Sequence, residues 1–147
     1  MIVSTKGRYG TRAMLELGLN YGNGPVSITK ISSRQDISYK YLEQIVKRLR
    51  EAGLVQSVRG AGGGYLLARP PSQIRMSHII AALEGKLSGM PCIDDPGTCH
   101  RSSMCASRDV WTHLENKIVQ VLDSISVADL VARHREKQDS LASNFAI

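Results

Sequence analysis

The chain has 147 residues with 19 Lys and Arg against 13 Asp and Glu, a formal charge of +6, and is 42% hydrophobic. That length and hydrophobic share suit one packed domain with an appendage and exclude a disordered chain. One Phe and one Trp are few for a β-sandwich or barrel, no run nears the roughly 20 apolar residues of a membrane span, no apolar signal segment follows Met1, and an odd count of three cysteines argues against a secreted disulfide framework. The expectation is a soluble, cytoplasmic, basic protein.

Ser4 or Thr5 can cap a first helix running to about Asn20, with Tyr9, Ala13 and Leu17 at i, i+4, i+8. Tyr21-Gly-Asn-Gly-Pro25 stops it. Ser27 can cap a short second helix through Gln35, with Ile28 and Ile31 inward. After a tight connection, a third helix runs from about Ser38 to Ala52 and ends at Gly53. Its Leu42, Ile45, Val46 and Leu49 form one apolar stripe, while Lys40, Glu43, Lys47 and Arg50 fall on another face. Two strand-like runs follow, Val55–Arg59 and Tyr65–Ala68, joined by the glycine-rich turn 60–64. Pro70-Pro71 breaks the chain before a fourth helix from Met76 to Glu84.

Residues 86–107 carry Gly, Pro, Asp and all three cysteines and read as a long loop, a kind of segment that usually has a function. Beyond it Trp111, Leu114, Ile118, Val121 and Ile125 are spaced 3, 4, 3, 4, a seam for packing against another helix and, with the basic domain already closed, a candidate dimer seam. Ser126 can cap a short last helix, with the tail frayed from about Gln138.

The charge is uneven. Residues 1–75 hold 12 Lys and Arg against 4 Asp and Glu, and residues 76–147 hold 7 against 9. A strongly basic half predicts a polyanion partner, most often nucleic acid. Three helices followed by a two-stranded hairpin is the order of a winged helix, in which the second helix of the helix-turn-helix enters the major groove. Tyr39, Lys40 and Glu43 lie near the start of that helix. Lys donates to guanine edges or phosphate, and Glu accepts from the cytosine amino group. Lys47 and Arg50 suit phosphate contacts. Arg59, at the hairpin tip, suits a narrow minor groove. A nucleotide-phosphate loop is excluded, because Tyr65-Leu-Leu stands where Gly-Lys-Ser/Thr would have to open a helix.

Cys92-x6-Cys99-x5-Cys105 is spaced more widely than the Cys pairs of zinc sites. Disulfides are disfavoured in a reducing cytoplasm, which leaves iron–sulfur ligands, zinc ligands, redox thiols or inert cysteines as readings.

Ser4-Thr-Lys-Gly-Arg-Tyr-Gly-Thr-Arg-Ala-Met-Leu15, Tyr41-Leu-Glu-Gln-Ile45 and Gly53-Leu-Val-Gln-Ser-Val-Arg-Gly-Ala-Gly-Gly-Gly-Tyr-Leu-Leu67 resemble the Rrf-two family of bacterial regulators, nearest its IscR-like, iron–sulfur cluster branch. The similarity covers about residues 1–135. It implies a mainly α fold with a β-hairpin wing, and a homodimer whose long C-terminal helices cross. It further implies base contacts at Lys40, Glu43 and Arg59, and an iron–sulfur cluster on Cys92, Cys99 and Cys105. Lys40 stands where that branch has serine, and Arg108 where it has a histidine ligand. His100, Asp109 or a small molecule then takes the fourth place, His100 first, and both 2Fe–2S and 4Fe–4S forms stay open.

The expected organisation is a winged-helix domain over 1–85, a cluster-binding loop over 86–108, and a dimerisation helix with tail over 109–147. The expected function is a non-enzymatic, homodimeric regulator of the repressor type, bound to near-palindromic double-stranded DNA with its operator binding controlled by an iron–sulfur cluster on the three cysteines, and with no membrane partner. The alternatives are a cluster-free regulator of thiol redox or cysteine metabolism, and a zinc-stabilised interaction module.

Overall fold

The first helix, α1 (Thr5–Leu19), opens where the Ser4 side chain accepts a hydrogen bond from the Gly7 N–H, which satisfies one of the free donors of a helix start. The structure is a computed structural model and describes residues 3–87 and 89–146. Helix α2 (Ile28–Gln35) is capped by Ser27 and ends at Asp36, which turns the chain with a left-handed φ of 52°. Helix α3 (Tyr39–Glu51) is capped by Ser38 and buries Leu42, Ile45, Val46 and Leu49, the four residues of the sequence stripe. Helix α4 (Met76–Glu84) buries Met76, Ile79, Ile80 and Leu83.

Strands β1 (Val55–Val58) and β2 (Gly64–Leu67) pair antiparallel, with Val55 opposite Leu67 and Val58 opposite Gly64. This wing is anchored on its far side as well. Tyr65 exchanges two backbone hydrogen bonds with Val26, of 2.8 and 2.9 Å, just ahead of α2. Gly64 makes that approach possible. Its φ is 154°, and a Cβ there would stand 2.4 Å from the Val26 carbonyl oxygen.

The segment between α4 and the long helix is more ordered than its composition predicts. It holds a helical turn, α5 (Pro91–Asp94), and 3₁₀ turns over Pro96–Thr98 and Ser102–Met104. Pro91 and Pro96 each begin a turn, where a ring that fixes φ and lacks an N–H costs nothing. The Asp95 carboxylate accepts from the Gly97 N–H at 3.0 Å.

Helix α6 (Ala106–Asp123) follows without a buried residue, and α7 (Val127–Phe145) completes the chain. A short α7 with a frayed tail from Gln138 is the wrong expectation, since α7 continues for 19 residues to Phe145. Ser126 and Asp129 form a reciprocal capping box. No Gly or Pro occurs after Ser126, so nothing local breaks the helix.

The core takes its largest fully buried side chains from all of the first four helices and from α7, with Met14, Ile31, Leu42, Ile79 and Val127 as examples. Helix α1 lies flush against two partners. A Cβ on Gly10 would meet Leu83 at 2.0 Å, and one on Gly18 would meet Val127 at 2.7 Å. Val127 and Val131 therefore belong to the core of the winged-helix unit although they lie past residue 109. The start of α4 and the α6–α7 corner are laced together by Met76 N–H to Ile125 C=O (2.8 Å) and Val127 N–H to Ile74 C=O (2.9 Å).

Candidate nucleic-acid interface and cysteine loop

The burial of Leu42, Ile45, Val46 and Leu49 leaves Tyr39, Lys40, Glu43, Lys47 and Arg50 of α3 exposed, so all five predicted residues of this helix face solvent. Lys47 lies 4.0 Å from Glu51 across one turn, an exposed pair worth little. Arg59 follows β1 directly and is exposed at the wing turn, where Gly60 and Gly62 take positive φ values of 98° and 74°. Among the described residues Lys40, Arg50 and Arg59 make no ion pair. Their charges are available to an anionic partner.

A polar lock that sequence reading missed ties α1 to α2, the helix just ahead of α3. Arg12 of α1 donates through Nε to the Gln35 side-chain oxygen at 2.9 Å and also bonds the Gln35 carbonyl. Gln35 Nε2 donates at 2.7 Å to Glu16, and Arg34 reaches the other Glu16 oxygen at 3.3 Å. Glu16 is 5% exposed, and a carboxylate so placed needs such partners. The one sequence signal was its position on the apolar face, three residues after Ala13 and one before Leu17. Beside the lock, Arg12 lies 5.2 Å above the Tyr9 ring, which meets Tyr41 of α3 edge to face at 5.9 Å.

A second clasp joins α1 to the root of the cysteine segment. Glu84, the last residue of α4, accepts from the Ser4 hydroxyl, from the Ser4 N–H at 2.9 Å and from the Gly7 N–H at 3.2 Å. The Ser4 hydroxyl bond is the main cause holding this carboxyl below its ordinary value, against the opposing effect of burial.

The three cysteines are free and half-buried. Cys99 and Cys105 line one cavity of about 690 Å³ together with His100, Arg101 and Met104. Cys92 lies apart on α5, where its carbonyl accepts from Arg108 Nε of α6 at 2.8 Å. The structure thus brings together Cys99, Cys105 and His100 and leaves Cys92 outside their cavity. Among the described residues no group of three or more His, Cys, Asp or Glu side chains is placed to hold a metal ion. Three soft thiols on one short segment suit iron–sulfur chemistry as a donor set. Their arrangement here is not a closed cage.

Beyond the cysteines, α6 exposes Val110, Trp111, Leu114 and Val121, at 59, 42, 47 and 58% of their surfaces. At 100° per residue these four fall within one side of the helix. Among the described residues no helix is long and apolar enough to cross a membrane.

Comparison with known proteins agrees with this architecture. The profile of the Rrf2 family, described as an iron-dependent transcriptional regulator, matches residues 3–133. The regulator IscR of Aliivibrio salmonicida is 39% identical over 98% of this chain and 85% of its own. The regulator CymR of Bacillus subtilis is 39% identical over 95% of this chain and 96% of its own. Among solved structures, T. potens IscR is 43% identical and superposes with a TM-score of 0.77, covering 94% of this chain and 91% of that one. The B. subtilis global cysteine regulator CymR is 40% identical with a TM-score of 0.77, covering 90% and 98%. With its hairpin wing behind a capped helix-turn-helix and a family match over nearly its whole length, this chain belongs to the Rrf2 family of transcriptional regulators, proteins that bind DNA and are not enzymes.

Proposed function

We propose that this chain is a cytoplasmic, homodimeric repressor that binds near-palindromic double-stranded DNA, with operator affinity set by an iron–sulfur cluster on its cysteine loop. One observation carries the reading. All three thiols lie on the segment that joins the DNA-binding helices to α6, with Cys105 directly before α6 begins. A change in that segment acts on both the wing-bearing unit and the helix that exposes an apolar face.

In this reading Lys40 and Glu43 meet base edges in the major groove with Tyr39 beside them, Lys47 and Arg50 hold phosphates, and Arg59 enters the minor groove. The support is that all six side chains are exposed on α3 and the wing turn. The apolar face of α6 supports the dimer, since two copies can bury Trp111, Leu114 and Val121 against each other. The functional sections are then 1–85 for DNA, 86–108 for sensing and 109–147 for pairing.

Cys92, Cys99 and Cys105 would hold the cluster, with His100, Asp109 or a small molecule in the fourth place. When bound, the cluster supplies a centre sensitive to iron and oxidants, in the 2Fe–2S or 4Fe–4S form. The chain's own part is mechanical. To close around one object Cys92 must approach the Cys99–Cys105 cavity, which strains or breaks the Arg108 bond to its carbonyl and pulls on Gly85 next to the Glu84 clasp. Cluster and operator then affect each other's affinity through that shared conformation. Iron and sulfide counts with a visible spectrum on anaerobically purified protein test this; colourless protein without iron contradicts it.

A second reading, a thiol-redox or cysteine-metabolism regulator, is favoured by a different observation. The thiols are free, and two of them share an open cavity without a finished metal cage. The CymR relative is described as a global cysteine regulator.

A further inference from the structure

The three cysteines are not equivalent. Cys99 and Cys105 both line the same cavity, each at the end of a 3₁₀ turn, with five residues between them. Both have extended backbone, and the intervening chain is folded back by the Ser102 N–H on the Cys99 carbonyl at 3.1 Å and the Met104 N–H on the Arg101 carbonyl at 3.0 Å. Cys92 belongs to another small unit. It sits on α5, and its carbonyl is tied at 2.8 Å to Arg108, in the first turn of α6.

We infer that, in the cluster-free protein, Cys99 and Cys105 are a dedicated redox pair that closes as an intramolecular disulfide, while Arg108 is the positioning residue that keeps Cys92 out of it. The inference rests on the thiol-redox reading of the loop and adds which thiols react. The oxidant class is a peroxide. One thiolate attacks a peroxide oxygen, the O–O bond breaks, and a sulfenic acid and a hydroxide form, the hydroxide becoming water with the proton that the thiol released on ionising. The second thiolate attacks that sulfur, the S–S bond forms, and the departing hydroxide takes a proton to become a second water. Two thiols lose two electrons in all, and the peroxide gains them. Arg101 and His100 on the cavity wall add positive or polar character where thiolate and hydroxide develop.

The test uses the full-length protein freed of iron by a chelator, treated with hydrogen peroxide, alkylated and mapped by mass spectrometry. Cleavage at Asp94 and at Arg101 separates the three cysteines. The expected result is loss of two alkylatable thiols, a Cys99–Cys105 cross-link, and Cys92 still alkylated. The same cross-link is expected in Cys92→Ala. In Arg108→Gln, Cys92 is expected to enter mixed pairings, whereas unchanged pairing there removes the positioning role. A wild-type disulfide that includes Cys92 overturns the pairing and leaves the redox reading standing. Three thiols that stay reduced in excess peroxide overturn both.

Discussion

Arg59 and Lys47 are both exposed cations, but they stand on different scaffolds and carry different predictions. Arg59 lies at a wing turn whose shape is fixed by Gly60, Gly62 and the Tyr65–Val26 bridge. Arg59→Ala is expected to cost about 1–3 kcal/mol on the operator and to relax sequence preference there. Lys47→Ala is expected to weaken operator and random DNA alike and to lower the salt slope. Anisotropy titrations on both DNAs at two salt concentrations check this, and equal losses from both variants would remove the division of labour. Gly64→Ala tests the wing itself. With φ at 154° and the Val26 carbonyl 2.4 Å from the new Cβ, it is expected to detach β2 from Val26 and weaken operator binding while the helical core keeps its far-UV signal. Much at this scale was legible: the serine caps, the α3 stripe and Arg59 at the tip are local patterns. The Arg12–Gln35–Glu16 lock was not, because its members are up to 23 residues apart and meet only after α1 and α2 have packed.

Elements are joined by a few polar contacts whose chemistry makes them testable. The Glu84 carboxyl is held below its ordinary 4.5, first by the Ser4 hydroxyl. A group whose value is lowered on folding contributes stability that is complete above its unfolded value and is lost as pH falls through the folded one. Glu84→Gln is therefore expected to lower the urea midpoint at neutral pH, with the gap to wild type closing as pH drops below about 4.5. A gap that stays constant to acid pH would mean that the clasp contributes nothing through its charge. For α6, Leu114→Arg places a charge in the middle of the apolar face and is expected to give monomers by sedimentation with helix content unchanged. The heptad spacing made Trp111, Leu114 and Val121 legible, but Ile125 of the same spacing packs against the core instead of joining the exposed face. The length of α7 was not legible, because between Arg135 and Ser140 every residue is polar, and only Leu141 and Phe145 resume an apolar spacing beyond them. The turns at Pro91–Asp94 and Pro96–Thr98 were masked by the prolines that start them.

Across the whole molecule the charge division of the sequence coincides with a structural one. The basic half contains the helix-turn-helix and wing, and the balanced half contains the thiols and the apolar helix. The two halves share a core through Val127 and Val131 and a hydrogen-bonded corner at Met76 and Ile125. Through these contacts a conformational change at residues 86–108 has a packed neighbour on each side to act on. Couplings of this kind change an affinity by about 5–150-fold. The state of the cysteine loop is expected to set operator affinity. Titration of one operator with the anaerobically purified protein, before and after a chelator removes its iron, measures this. The expected result is a coloured protein with iron and sulfide, and an operator Kd that shifts by at least about fivefold when the colour is lost. The same Kd in both states would contradict it.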